Sequence, residues 1–175
     1  MFQGFSQATN DFLWGIRFNN ERPWFEAHKQ TYLDHVQTPM RQLAQEVYEK
    51  FSARHEALPL MVRVSRIYRD ARRLYGRGPY KDHLWFGLRR LAPSEGAEPG
   101  FYFEVAPEYY SYGMGCYWAK ANTMACFRRA IDADPLPLTE LAEHLNAQST
   151  FVLAGQDYVR PKGNPGALLS PWYNK

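Results

Sequence analysis

The chain has 175 residues, 45% hydrophobic and 22% charged, with a net charge of +3. That length suits one domain with a buried core, and the near-globular balance argues against bulk disorder. No run approaches the ~18 apolar residues of a membrane span. The start, MFQGFSQATNDFLWG, lacks the basic and apolar regions of a secretory leader. A single domain over residues 1–175, cytoplasmic and without a membrane partner, is expected.

Cys116 and Cys126 are too few and too widely spaced for a CxxC pair or a zinc site. Free thiols in a reducing compartment follow. Aromatic residues reach 16%, which favours a packed aromatic core over a dedicated stacking surface. Charge is unevenly placed. Arg63 to Arg90 holds nine basic residues against Asp70 and Asp82, a net +7, which leaves the rest of the chain at −4. Such asymmetry marks either an anion-binding surface or internal pairing between two parts of one fold.

In chain order, Ser6 to Ile16 reads as a short amphipathic helix with Ser6 as N-cap and Phe12, Leu13 and Ile16 on its apolar side. Asn20 is placed to cap the next helix, with Pro23 in the first turn, where a missing N–H is tolerated. Trp24 and Phe25 anchor that start. From Phe25 to Phe51 apolar residues recur at helical steps. Pro39 interrupts the run, so a kink or a second helix capped by Thr38 is expected. Val62 and Val64 alternate with polar neighbours as in a strand, and His83 to Arg89 does so again. Arg69 to Pro79, bearing Gly76, Gly78 and Pro79, reads as a loop, and Gly96 to Gly100 as a turn. Phe101 to Val105 and Tyr110 to Met114 form a hairpin about Pro107-Glu108, with Gly113 and Gly115 allowing a bulge or bend. Helices follow at Asn122–Ile131 and Leu138–Leu145. Phe151-Val152-Leu153 reads as a final strand, and the tail from Gly155 is rich in Gly, Pro and polar residues. The fold class is α+β: N-terminal helices packed on a mainly antiparallel sheet, with further short helices toward the C-terminus.

Three phrases occur together and in order: NNERPWFEAHKQTY (Asn19 to Tyr32), SRIYRDARRLYGRGPYKDH (Ser65 to His83) and GFYFEVAPEYYSYGMGCYW (Gly100 to Trp118). In them the chain resembles the bacterial and fungal family called domain of unknown function 2461, over roughly Phe2 to Trp172. The most specific part is Tyr68-Arg69-Asp70-x-Arg72 followed by Pro79-Tyr80-Lys81. Two departures stand out. Arg73 occupies a position where the family typically has an aromatic, and Leu74 to Gly78 replaces a polar Ser-Lys-Asp-Lys-like stretch. Family members commonly continue into a further C-terminal helix, which this chain is expected to lack. The resemblance implies a fold and a candidate surface, and no activity.

The candidate ligand-binding residues are Arg66, Arg69, Asp70, Arg72, Tyr80 and Lys81. Arginine offers a planar fork that bonds phosphate or carboxylate in a bidentate way. In one reading Arg69 and Arg72 contact an anionic small molecule, Asp70 orients them, and Tyr80 or Lys81 completes the pocket. In the other, Asp70 pairs with Arg69 or Arg72, with Glu104 or Glu26 as further partners, and the arginines brace a non-catalytic structural or interaction module. Nucleic-acid binding ranks third: Tyr68, Tyr75, Tyr80 and Trp85 interleave the basic segment, but no known nucleic-acid motif is present.

No cofactor is implied. Gly76-x-Gly78 matches neither a Walker nor a dinucleotide loop, and GxSxG is absent. His28, Tyr32 and His35 share one helix face without HExxH, so half-exposed histidines are expected there and no metal. Glu104 and Glu108 straddle a turn, and spacing alone does not make them a catalytic pair. The residues assign no reaction.

Overall fold

The computed structural model describes residues 1–90, 99–116 and 119–175, with Arg73 described by its backbone alone. These residues gather into two compact units, one formed by those up to 116 and the other by those from 119 onward.

In the first unit, α1 (Gln7–Phe18) starts after Ser6, whose N–H donates to Thr9 Oγ1 at 3.1 Å. Its apolar side chains Phe12, Leu13 and Ile16 are buried, each worth roughly 1.5–3 kcal/mol relative to exposure. The next helix, α2 (Arg22–Ala27), is preceded by Glu21 rather than by the expected cap Asn20, which is engaged elsewhere. Helix α3 (Lys29–Tyr32) runs into a π-helical turn, Leu33–Gln37, and then into α4 (Thr38–Arg54).

That wide turn corrects the expectation of a helix capped by Thr38. The Thr38 N–H reaches back to the Leu33 carbonyl, so the chain stays helical through Pro39. Proline lacks the N–H that would satisfy the carbonyl four residues back, at His35. The Thr9 hydroxyl takes that place, donating to His35 O at 2.6 Å. Thr9 is accordingly a buried polar residue, 2% exposed.

Strands β1 (Leu60–Val64), β2 (Leu84–Arg90), β3 (Gly100–Val105) and β4 (Tyr110–Gly115) form an antiparallel meander in the order β1-β2-β3-β4. Alternation sends one set of side chains to each face. The register aligns Val64, Phe86, Phe103 and Tyr112 on one face, and Arg63, Gly87, Tyr102 and Gly113 on the other. The first face carries the core, where Leu84 and Phe86 meet Phe12, Phe25, Tyr32, Val36, Met40 and Tyr80. Helix α4 packs on β1 and β2.

The hairpin closes over Pro107-Glu108, with Ala106 N–H donating to Tyr109 O at 2.8 Å. Its register continues unbroken through Gly113 to Gly115, so there is no bulge. Gly113 lies instead beneath the Tyr102 ring: a Cβ there would stand 3.2 Å from Tyr102 Cε1. The turn read at Gly96 to Gly100 falls mostly outside the described residues.

The second unit holds α5 (Ala121–Ala133), α6 (Leu136–Asn146) and α7 (Ser170–Tyr173) around Ile131, Leu138, Ala142, Leu169 and Tyr173. The Tyr173 hydroxyl donates to Asp132 Oδ2 at 3.0 Å, so part of the Gly- and Pro-rich tail is tied to α5. Phe151-Val152-Leu153 is not a strand. The Gln148 amide bonds both the N–H and the carbonyl of Phe151, closing a turn where a strand would need a neighbour. The architecture is α+β. No described helix is long and apolar enough to cross a membrane.

Candidate functional site

The segment between β1 and β2 is a loop whose two ends are drawn together. Tyr68 and Tyr80 form an antiparallel bridge, Arg69 N–H donates to Pro79 O at 2.8 Å, and Lys81 N–H donates to Ile67 O at 2.7 Å. Asn20, from the α1–α2 connection, acts as a third strand would. Its amide accepts from Tyr80 N–H at 2.9 Å and donates to Tyr80 O at 3.0 Å. Gly78 leaves room for that side chain, since a Cβ there would fall 2.2 Å from Asn20 Oδ1. The Tyr80 ring is 3% exposed and stacks on Phe25 at 4.4 Å. Burial raises its phenol pKa. Tyr80 is therefore a core residue rather than a pocket wall.

Arg69 donates through Nε to Tyr80 O at 2.7 Å and faces Asp82 Oδ1 at 3.6 Å. It is largely buried; that burial lowers its pKa, against the pull of Asp82 and with the push of Arg77. Arg17, at the end of α1, donates to Asp82 Oδ2 at 2.6 Å and forks onto both oxygens of Glu108. His83 Nδ1 lies 3.0 Å from Asp82 Oδ1. Burial opposes ionisation of Asp82, yet the bonds from His83 and Arg17 outweigh it and hold the carboxyl below its ordinary range. The Arg17 bond likewise lowers Glu108. Bonds to Glu108 and then Asp82 raise Arg17.

Asp70 and Arg72 form a separate, local pair. Asp70 accepts from the Arg72 N–H and Nε at 3.0 Å each, and from a terminal guanidinium nitrogen at 2.8 Å, over the 3₁₀ turn Ala71–Arg73. Arg72 is 88% exposed. Of the pairings expected for Asp70, the one with Arg72 forms, whereas Arg69 turns to Asp82. Glu104 accepts from the Tyr109 hydroxyl and Glu26 pairs with Lys29, so neither serves the arginines of this loop.

Lys81 and Arg66 are tied differently. Lys81 Nζ donates to the Arg66 carbonyl at 2.5 Å. Burial lowers its pKa, and the charges of Arg69, Arg66 and Arg63 lower it further. Among the described residues, no carboxylate comes within ion-pair distance of Arg63, Arg66 or Lys81. Among the described residues these cations have no paired counter-charge, beside a network in which Arg17 and Arg69 are neutralised.

His28 stacks on Trp24 at 4.0 Å with Nδ1 2.8 Å from the Trp24 carbonyl, and His35 is exposed. No group of three or more metal-ligating side chains is gathered among the described residues.

Of the residues that complete the network, Asn20 and Asp82 lie within the phrases Asn19–Tyr32 and Ser65–His83 but read there as a helix cap and as one acid of the basic segment, and Arg17 carries no motif. Arg17 and Asp82 stand 65 positions apart, and Asn20 and Tyr80 stand 60 apart. A family model described as conserved hypothetical protein (DUF2461) matches residues 8–167. The chain belongs to this family. The stretch shared with domain of unknown function 2461 thus contains the whole Arg17–Asp82–Arg69 network and the cluster around Lys81. No curated protein and no solved structure matches the chain.

Proposed function

We propose that the protein binds a phosphate-bearing or other anionic ligand on the cationic cluster of Arg63, Arg66 and Lys81. The observation that carries this reading is that, among the described residues, no carboxylate pairs with these three neighbouring cations, in a region where Arg17, Arg69 and Arg72 each have one. Crowded like charges raise the free energy of the empty surface, and an anion relieves it. Arg69 and Tyr80 serve the surface from beneath, by fixing the backbone that carries Lys81. Asp70 and Arg72 lie along the same loop as a preset turn, available to a larger ligand at its exposed arginine.

A second reading is favoured by the burial of Arg69 and its place beside Asp82 and Arg17. In it these arginines brace a non-catalytic module, and their loss unfolds the loop without affecting a ligand. The two readings divide the basic residues between them. Differential scanning fluorimetry with inorganic tripolyphosphate separates them. Ligand binding predicts a rise in melting temperature that Arg66→Ala/Lys81→Ala abolishes. No rise, or an equal rise in the double variant, overturns it.

A further inference from the structure

The sheet ends at β1, the strand that carries Arg63 and leads directly to Arg66. Ser65 N–H donates to Trp85 O at 2.7 Å, in step with the β1–β2 register. Antiparallel pairs alternate between those that exchange hydrogen bonds and those that do not. Arg63 and Met61 therefore bond to Gly87 and Arg89, whereas the N–H and C=O groups of Leu60, Val62 and Val64 turn away from β2. Among the described residues, no strand pairs with them on that side and no hydrogen bond reaches them.

The side chains along this edge differ between the two faces. Leu60, Val62 and Val64 lie on the core side, while Arg63 and Met61, both exposed, lie on the other. Arg89 of β2 stands opposite Met61 on that outer face, and Arg66 follows the strand. All three arginines are exposed, and none has an ion pair among the described residues. Charge on an edge strand repels a like-charged neighbour. A second copy of β1 would gather the arginines of two molecules on one face, which is unfavourable. A strand bearing carboxylates meets the opposite condition.

Resting on the anion-binding reading above, we infer that β1 accepts an acidic, extended peptide as a fifth antiparallel strand. The peptide main chain bonds the outward groups of Leu60, Val62 and Val64. Its side chains alternate, apolar beside those three residues and acidic beside Met61 and Arg63. Met61 and Arg63 then fall in the pairs without hydrogen bonds, where opposed side chains come closest. A carboxylate opposite Arg63 is thus placed to pair with it, and the next ones lie toward Arg89 and Arg66. Strand addition of this kind draws affinity from main-chain bonds and specificity from alternate side chains.

The test is fluorescence anisotropy with a labelled peptide of alternating glutamate and valine, beside the tripolyphosphate measurement. The controls are the same peptide N-methylated at its valines and an oligothymidylate of equal charge. The acidic peptide is expected to bind. N-methylation keeps its charge but removes the donors to β1, and should weaken it roughly tenfold or more. Arg63→Glu should weaken it by about the same factor. Val62→Pro removes an outward N–H and leaves the β1–β2 bonds in place, so it should weaken the peptide at an unchanged melting temperature. If the N-methylated peptide binds equally, or the oligothymidylate binds more tightly, strand addition is wrong while anion binding stands. The same holds if tripolyphosphate binds and the acidic peptide does not. If neither binds, both readings fall.

Discussion

At the scale of single residues, polar side chains repair what the main chain leaves open. Thr9 repairs the gap left by Pro39: the His35 carbonyl has lost its helical donor, and the threonine hydroxyl supplies another. An unsatisfied buried carbonyl costs about 1–3 kcal/mol. Thr9→Val should therefore lose that much stability in urea denaturation, whereas Thr9→Ser, which keeps the hydroxyl, should lose less. Asp82 illustrates the same economy with charge. Its carboxyl is 20% exposed and meets Arg17, Arg69 and His83. Removing one partner of a largely buried pair leaves the others uncompensated, so Asp82→Asn should cost roughly 1–3 kcal/mol at neutral pH, less than for a fully buried pair. The folded pKa lies below the unfolded value of about 4. The contribution is then complete above pH ~4 and disappears as pH falls through the lower folded value. The difference in stability between wild type and Asp82→Asn should shrink accordingly between neutral and strongly acidic pH.

At the scale of elements, glycines separate what the fold requires from what it merely tolerates. Gly100→Ala presses a methyl group onto the Leu88 carbonyl and should destabilise by about 1–3 kcal/mol, while Gly87→Ala should leave thermal stability near wild type. The loop before β2 depends on an element distant in sequence. Asn20 holds both main-chain groups of Tyr80. Asn20→Ala should speed hydrogen exchange at the Tyr80 amide, while the Lys81 amide, bonded to Ile67, should stay more protected. Gly78→Ala should produce a similar loosening, since its methyl group would displace the Asn20 side chain.

At the scale of the whole molecule, the basic segment is divided rather than uniform. Part of its charge is consumed internally, by Asp82 on Arg69 and by Asp70 on Arg72, while Arg63, Arg66 and Lys81 have no carboxylate partner among the described residues. Binding of a polyanion should weaken linearly on a plot of log affinity against log salt. Arg63→Ala should lower that slope by about one, as expected for loss of one phosphate contact. Arg72→Ala should change the slope less if its guanidinium stays with Asp70.

The α+β class, the N-terminal helices and the four strands were legible in the sequence, because helices and strands repeat their apolar residues at different periods, and the family was legible in three phrases that occur in order. The motif around Tyr68 to Lys81 was legible too, as a string. Its internal division was not. Tyr80 looked like a ligand residue until the bridge to Tyr68 turned its ring onto Phe25. Asn20 looked like a helix cap until Tyr80 came within its reach. Arg69 lost its adjacent carboxylate, Asp70, to Arg72 and took Asp82, while the latter drew Arg17 from a helix far away in the chain. Local periodicity and turn chemistry are written in neighbouring residues and can be read there. Which cations are neutralised by a carboxylate depends on distances between residues that only the folded chain brings together.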